Sequence, residues 1–165
     1  MCIRDRATNY PQKVIINEVG PRDGLQNEDQ TITLENKIKL VNLLVKSGLK
    51  SIEVGSFVSP KWVPQMADSL ELIHALELHN NNEVTFSALV PNLKGLASAV
   101  KSRIPRIAIF ASASETFSKK NINCSIEESL DRFTEVVLEA QHYNLQIRGY
   151  VSVSYTHLRA HETTN

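Results

Sequence analysis

VIINEVGPRDGLQNE (residues 14–28) and SIEVG (residues 51–55) carry the same tripeptide, Glu-Val-Gly, at the end of an apolar run. Val14 to Val19 reads as a first strand that stops at Gly20-Pro21, and Ser51 to Val54 as a second. Between them, Thr33 is placed to cap a helix from Leu34, with Ile38, Val41, Leu44 and Val45 at core spacing. Gly48 is placed to end that helix in the left-handed region. Strand, helix and strand in this order form a βαβ unit, whose strands pair in parallel through a right-handed crossover.

The alternation continues along the chain. A loop with Pro60 and Pro64 follows, where Trp62 is expected to pack the second βα loop, then a helix from about Ala67 to Leu78 and a turn at Asn80-Asn81-Asn82. Val84 to Val90 reads as a third strand ended by Pro91, Leu93 to Val100 as a short helix, and Arg106 to Ala111 as a fourth strand. Ser125 and Glu128 form a capping box, opening a helix to about Tyr143 with Leu130, Phe133, Val137 and Ala140 on one face. Gln146 to Val153 is the fifth strand. The strands are mostly apolar, as when both faces of a parallel sheet are covered. Two architectures fit: an open five-stranded, flavodoxin-like sheet, or part of an eightfold barrel, whose units take about 31 residues each. On spacing alone neither is preferred.

Composition narrows the function classes. The 165 residues carry 18 basic and 18 acidic side chains, so the basic excess of a nucleic-acid binder is lacking. No apolar run approaches the roughly 20 residues that span a bilayer, so no membrane partner is expected. Two cysteines, Cys2 and Cys124, without a Cys-x-x-Cys spacing, argue against a disulfide framework and fit a reducing, cytoplasmic location. Cys124 reads as structural, and His74, His79 and His142 as solvated or packed.

The chemistry gathers at the strand ends. Glu18 and Glu53 occupy equivalent places in consecutive units, and the carboxyl-terminal edge of a parallel barrel is where active sites sit. A single such Glu is as well explained by a structural cation. The loop from Gly20 to Glu28 is dense in polar groups. Asp23 is a hard oxygen ligand suited to Mg²⁺ or Mn²⁺, and Arg22 is a permanent cation able to steady an enolate or oxyanion. The two are equally readable as a turn with a surface ion pair. Lys119-Lys120 reads as a solvated polar loop.

EVGPRDGLQNE at 18–28 resembles the signature loop of the 3-hydroxy-3-methylglutaryl-CoA lyases. SFVSPKWVPQM at 56–66, VPNLKG at 90–95, ASETFSKKNINCSIEES at 113–129 and RGYVS at 148–152 are similar to the same family, in the same order. The condensing acyl-CoA/2-oxo acid synthases share the Arg-Asp-Gly core but usually place Asp-Thr-Leu before it, where this chain has Glu18-Val19-Gly20-Pro21. The resemblance implies an α/β fold, an incomplete TIM (β/α)8 barrel of about the first five βα units of eight, at residues 14–153. It implies metal-assisted retro-Claisen cleavage of a CoA ester, a divalent metal (Mg²⁺ or Mn²⁺) as cofactor, and a homo-oligomeric parent. By that analogy Asp23 is a metal ligand, Arg22 and Glu53 are catalytic, Arg22, Gln26 and Ser56 meet the substrate, and Glu18 lies just behind the metal.

The family completes its metal site with a His-x-His pair, an Asn and a later Cys loop. This chain has His157 and His161 at a different spacing, in a tail that no longer resembles the family. MCIRDR at the start and the tail 154–165 resemble translated adapter sequence, and are expected to be foreign or disordered. The remaining expectations are that the chain as written is inactive and, with an uncovered apolar sheet face, aggregation-prone. The rival readings are a condensing synthase of the same superfamily and a non-catalytic fragment.

Overall fold

The computed structural model describes residues 11–77 and 83–152. The Asn80–Asn82 turn, His79, Cys2, His157, His161 and both terminal segments lie outside the described residues.

Thr33 caps α1 (Leu34–Lys46) through the Asn36 amide, and Gly48 stands at φ 96° beyond its end, as the sequence requires. β1 (Ser51–Ser56), α2 (Ser69–Glu77), β2 (Thr85–Leu89), α3 (Leu93–Ser102) and β3 (Arg106–Ser112) follow in order. α4 (Glu115–Ile122), α5 (Ile126–His142) and β4 (Gln146–Ser152) complete the described chain. All four strands are parallel and stand in the order β1-β2-β3-β4. A flavodoxin-like sheet reverses its winding after the first strand and orders its strands 2-1-3-4-5. Here each strand is laid beside its predecessor, so the winding is that of a barrel wall.

Several sequence expectations change. The first strand is reduced to one parallel bridge, Glu18 to Ile52, and Val14, Ile15 and Ile16 are exposed. Among the described residues that stretch has a backbone hydrogen-bonded neighbour only on the β1 side, and one ladder at one residue does not hold an extended run. Lys119 and Lys120 belong to α4, which Ser114 caps through the Phe117 amide, rather than to a loop. The buried face of α5 runs through Ser129, Phe133, Val136 and Ala140, while Leu130 faces out. Ser129 satisfies its hydroxyl on the Ile126 carbonyl, so a polar residue fills the inward position. Trp62 is 84% exposed, because the loop is pinned by Gln65 and Met66 instead.

The core fills one side of the sheet. Ile52 and Val54 of β1, Phe86 and Ala88 of β2 and Ile107 of β3 pack against Val41, Leu72, Ile73, Leu76, Leu96, Ala99, Val136 and Ala140 of the helices. The other side carries a hydrogen-bonded polar set that includes Ser51, Glu53, Arg106 and Tyr150, so at these positions the face expected to be apolar is polar. β1 shifts register between Glu53 and Gly55, a bulge that falls just after the carboxylate. Gly55 is needed there: a Cβ would lie 2.7 Å from the Ser69 hydroxyl oxygen.

The capping box at α5 forms as read, with the Ser125 hydroxyl accepting from the Glu128 amide and the Glu128 carboxylate from the Ser125 amide. These bonds hold the Glu128 carboxyl below its usual range. Ser125→Ala is expected to destabilise the chain by about 1 kcal/mol. A urea midpoint unchanged from the parent would refute this.

Candidate functional site

The site begins where the Glu18 bridge ends. The Glu18 amide donates to the Ser51 carbonyl (3.0 Å) and its carbonyl accepts from the Glu53 amide (2.7 Å). The chain then turns in a single π-helical turn, Gly20–Gly24, in which the Val19 carbonyl accepts from the Arg22 and Asp23 amides. Pro21 suits the opening of that turn, where an amide hydrogen has no partner to meet. Glu18 folds back on the turn: its Oε1 accepts from the Gly20 amide at 2.6 Å. A Cβ at position 20 would stand 2.9 Å from that oxygen, so a side chain there would push the Glu18 carboxylate off the Gly20 amide. Such turns are frequent at functional sites because they re-aim side chains that a regular helix would stack.

The turn aims Arg22 at β1. Arg22 Nε donates to Glu53 Oε1 at 2.6 Å and Nη1 to Asp23 Oδ1 at 2.6 Å. Glu53 is wholly buried, and its second oxygen accepts from the Tyr150 hydroxyl at 2.7 Å. Both oxygens of the buried carboxylate are thus met by strong donors, which is what makes its burial tolerable. Arg22 is 11% exposed and Asp23 56% exposed, so the pair stands at the surface end of the group, and among the described residues Arg22 Nη2 has no hydrogen-bond partner.

Tyr150 stands in the sequence within RGYVS, where nothing local marks it as a partner of Glu53. Its phenol is pushed up to about 12, first by burial and then by the hydrogen bond and charge of Glu53. A phenol raised in the folded state stabilises fully below its ordinary value near 10 and loses that contribution as pH rises from 10 to about 12. The alkaline limb of a melting-temperature profile is therefore expected to be steeper for the parent than for Tyr150→Phe between those values. Superimposable limbs would contradict the assignment.

The remaining expected site residues lie further off. Ser56 is buried, and its hydroxyl accepts from the Val58 amide rather than reaching the Arg22–Glu53 pair. Gln26 is half-buried just beyond the turn, and the side-chain bond that ties the turn comes from Asn27 to the Asp23 carbonyl. Cys124 is buried and free, as fits a structural residue. For a divalent ion, Asp23 offers an exposed carboxylate with one oxygen taken by Arg22. Glu53 has both oxygens engaged. Among the described residues no three His, Cys, Asp or Glu stand close enough to hold an ion. Asp23 therefore fits as one ligand, and the described residues do not make a complete metal site.

A clamp that sequence reasoning missed braces the loop behind the site. Lys37 of α1 is 2% exposed, and its ammonium donates to the Gln65 carbonyl (2.5 Å) and to Asp68 Oδ1 (2.6 Å). The Gln65 amide in turn accepts from the Ile32 amide and donates to the Gln30 carbonyl.

Residues 13–163 match the HMGL-like family. The chain belongs to that family. It is 54% identical over 144 residues to the 3-hydroxy-3-isohexenylglutaryl-CoA/hydroxy-methylglutaryl-CoA lyase of Pseudomonas aeruginosa, covering 87% of this chain and 47% of that protein. It is 54% identical over 145 residues to the cytoplasmic 3-hydroxy-3-methylglutaryl-CoA lyase of Rattus norvegicus, 88% of this chain and 42% of that one. The crystal structure of the Pseudomonas aeruginosa hydroxymethylglutaryl-CoA lyase superposes with a TM-score of 0.80 at 53% identity, over 86% of this chain and 46% of its own. A lyase of Acinetobacter baumannii, solved with coenzyme A and 3-methylmalate, gives 0.77 at 36% identity, over 83% and 44%. The chain thus spans about half the length of these HMGL-like relatives. The barrel-wall winding and the lyase relatives agree with the fold read from the sequence. Among the described residues no helix is long and apolar enough to cross a membrane.

Proposed function

We propose that this chain is part of a carbon–carbon lyase that cleaves 3-hydroxy-3-methylglutaryl-CoA to acetyl-CoA and acetoacetate. The observation that carries this reading is Arg22, inside the loop EVGPRDGLQNE, held by a fully buried Glu53 in the middle of β1, just before its bulge. The coenzyme A bound to a family relative supports a thioester substrate.

In the reaction the C3 hydroxyl loses its proton and becomes the ketone of acetoacetate as the C2–C3 bond breaks. The bonding pair moves onto the thioester as an enolate, whose carbon takes up a proton to give acetyl-CoA. Arg22 offers the free Nη2 hydrogens to the enolate oxygen, in a site where the guanidinium is already oriented. Glu53 orients Arg22 instead of moving a proton, because donors occupy both its oxygens. A divalent ion (Mg²⁺ or Mn²⁺) with Asp23 among its ligands would acidify the C3 hydroxyl and orient the acid arm. Gln26 and Ser56 shape the loops around the acyl chain, and Glu18 holds the turn that presents Asp23. The intact enzyme is read as a cytoplasmic homo-oligomer acting in leucine breakdown and ketone-body formation.

The test is acetoacetate release from the CoA ester by the full-length protein, with Mg²⁺ or Mn²⁺ and again with EDTA. Metal-dependent release is expected. Release of free CoA that depends on an added 2-oxo acid would overturn the reading in favour of a condensing synthase. The 165-residue chain alone is expected to give no turnover, since its described residues do not complete a metal site.

A further inference from the structure

The polar side of the sheet holds a continuous hydrogen-bonded chain. Arg106 of β3 donates through Nη1 to the Ser51 hydroxyl (2.9 Å), and Ser51 donates to Asn17 Oδ1 (2.5 Å). Asn17 donates through Nδ2 to the Tyr150 hydroxyl (3.3 Å), and Tyr150 donates to Glu53 Oε2 (2.7 Å). Glu53 then accepts from Arg22 at its other oxygen. The donor direction is dictated from both ends. A guanidinium can only donate and a carboxylate can only accept. The three neutral links between them must therefore each accept from one side and donate to the other. Chains of this kind polarise their members, so each bond is stronger than it would be alone.

We propose that Tyr150 is a positioning residue for Arg22, acting through Glu53 as the last neutral link of this chain. The idea rests on the lyase reading for its catalytic consequence, though not for its geometry. Arg22 reaches Glu53 through Nε, the least mobile of its donors. Where the carboxylate sits thus decides where the guanidinium plane lies. Without the phenol, Glu53 Oε2 would be a buried acceptor lacking its partner, free to rotate toward a second Arg22 nitrogen. That rotation would take up the Nη2 hydrogens that the enolate needs. The groups facing the phenol are Glu53 from β1, Arg22 from the π turn, Arg106 from β3 and Arg148 on β4 itself. Only Glu53 among them is an anion, and it is the one in contact.

Two readouts test this. In the 165-residue chain, ultraviolet titration of the four tyrosines should show one phenol ionising near 12, lost in Tyr150→Phe. Glu53→Gln should move that phenol to lower pH. An unmoved phenol overturns the link between the two residues, whatever reaction the protein catalyses. In the full-length protein, Tyr150→Phe should lower kcat by about 10-fold or more with KM within about 2-fold. The double variant with Glu53→Gln should be no slower than Glu53→Gln alone, since Tyr150 acts only through the Glu53 carboxylate, which Glu53→Gln has already removed. Multiplicative losses, or a loss confined to KM, overturn the positioning role. Should the parent cleave no CoA ester at all, the lyase reading fails and the titration still decides the inference.

Discussion

Arg22→Gln in the full-length protein is expected to lower kcat by about 10³, with a far smaller change in KM. The size follows from the placement of the charge. The guanidinium is 11% exposed, fixed at Nε by Glu53 and at Nη1 by Asp23, and so meets a developing enolate without reorganising. Gln keeps a donor of similar reach but carries no positive charge and cannot bridge both carboxylates. It also leaves Glu53 buried with one strong partner instead of two, so some loss of stability is expected beside the loss of rate. The measurement is steady-state acetoacetate release together with a thermal melt. A change confined to KM would mean that Arg22 binds substrate and transition state equally, and would remove it from the chemistry.

Lys37→Met is expected to destabilise the 165-residue chain by about 3 kcal/mol, the low end of the cost of removing one partner from a buried pair, because Asp68 is 29% exposed and water reaches the carboxylate left behind. At about 2–4 °C per kcal/mol for a domain of this size, its melting temperature should fall by roughly 6–12 °C. Methionine keeps the length of the side chain, so the core face of α1 stays filled. What is lost is the ammonium that joins the Gln65 carbonyl to Asp68, and with it the brace between α1 and the loop after β1. That loop also receives Gln30 and Ile32 through the Gln65 amide, so loosening it reaches the segment after the π turn. A melting temperature within about 2 °C of the parent would show that solvent replaces the clamp at no cost.

Much of the α1 and α5 boundaries could be read directly, because caps and left-handed ends are local. Thr33, Gly48 and the Ser125–Glu128 box act within four residues of themselves. Arg22, Asp23 and Glu53 could be named as candidates from an Arg-Asp-Gly turn and a carboxylate in an apolar run. Those features fit a turn and a structural ion pair equally well, and only the family resemblance gave them roles. Their partnership could not be named. Arg22 and Glu53 are 31 positions apart, and Tyr150 is 97 positions from Glu53. The spacing of strand starts left an open sheet and a barrel wall equally possible, and only the strand order separates them.

Lys37 shows the same division within one helix. It occupies a core-facing position one turn before Val41, which the sequence displays as an interruption of the apolar period. Whether such a lysine is tolerated depends on an acceptor from another element, and Asp68 and the Gln65 carbonyl arrive only when the next loop folds over α1. Alternation, caps and turns follow from interactions between near neighbours, and the order of residues is enough to specify them. The choice of a polar inner side, the pairing of Glu53 with Arg22 and Tyr150, and the burial of Lys37 depend on desolvation. That energy is set by which distant residues close around a charge.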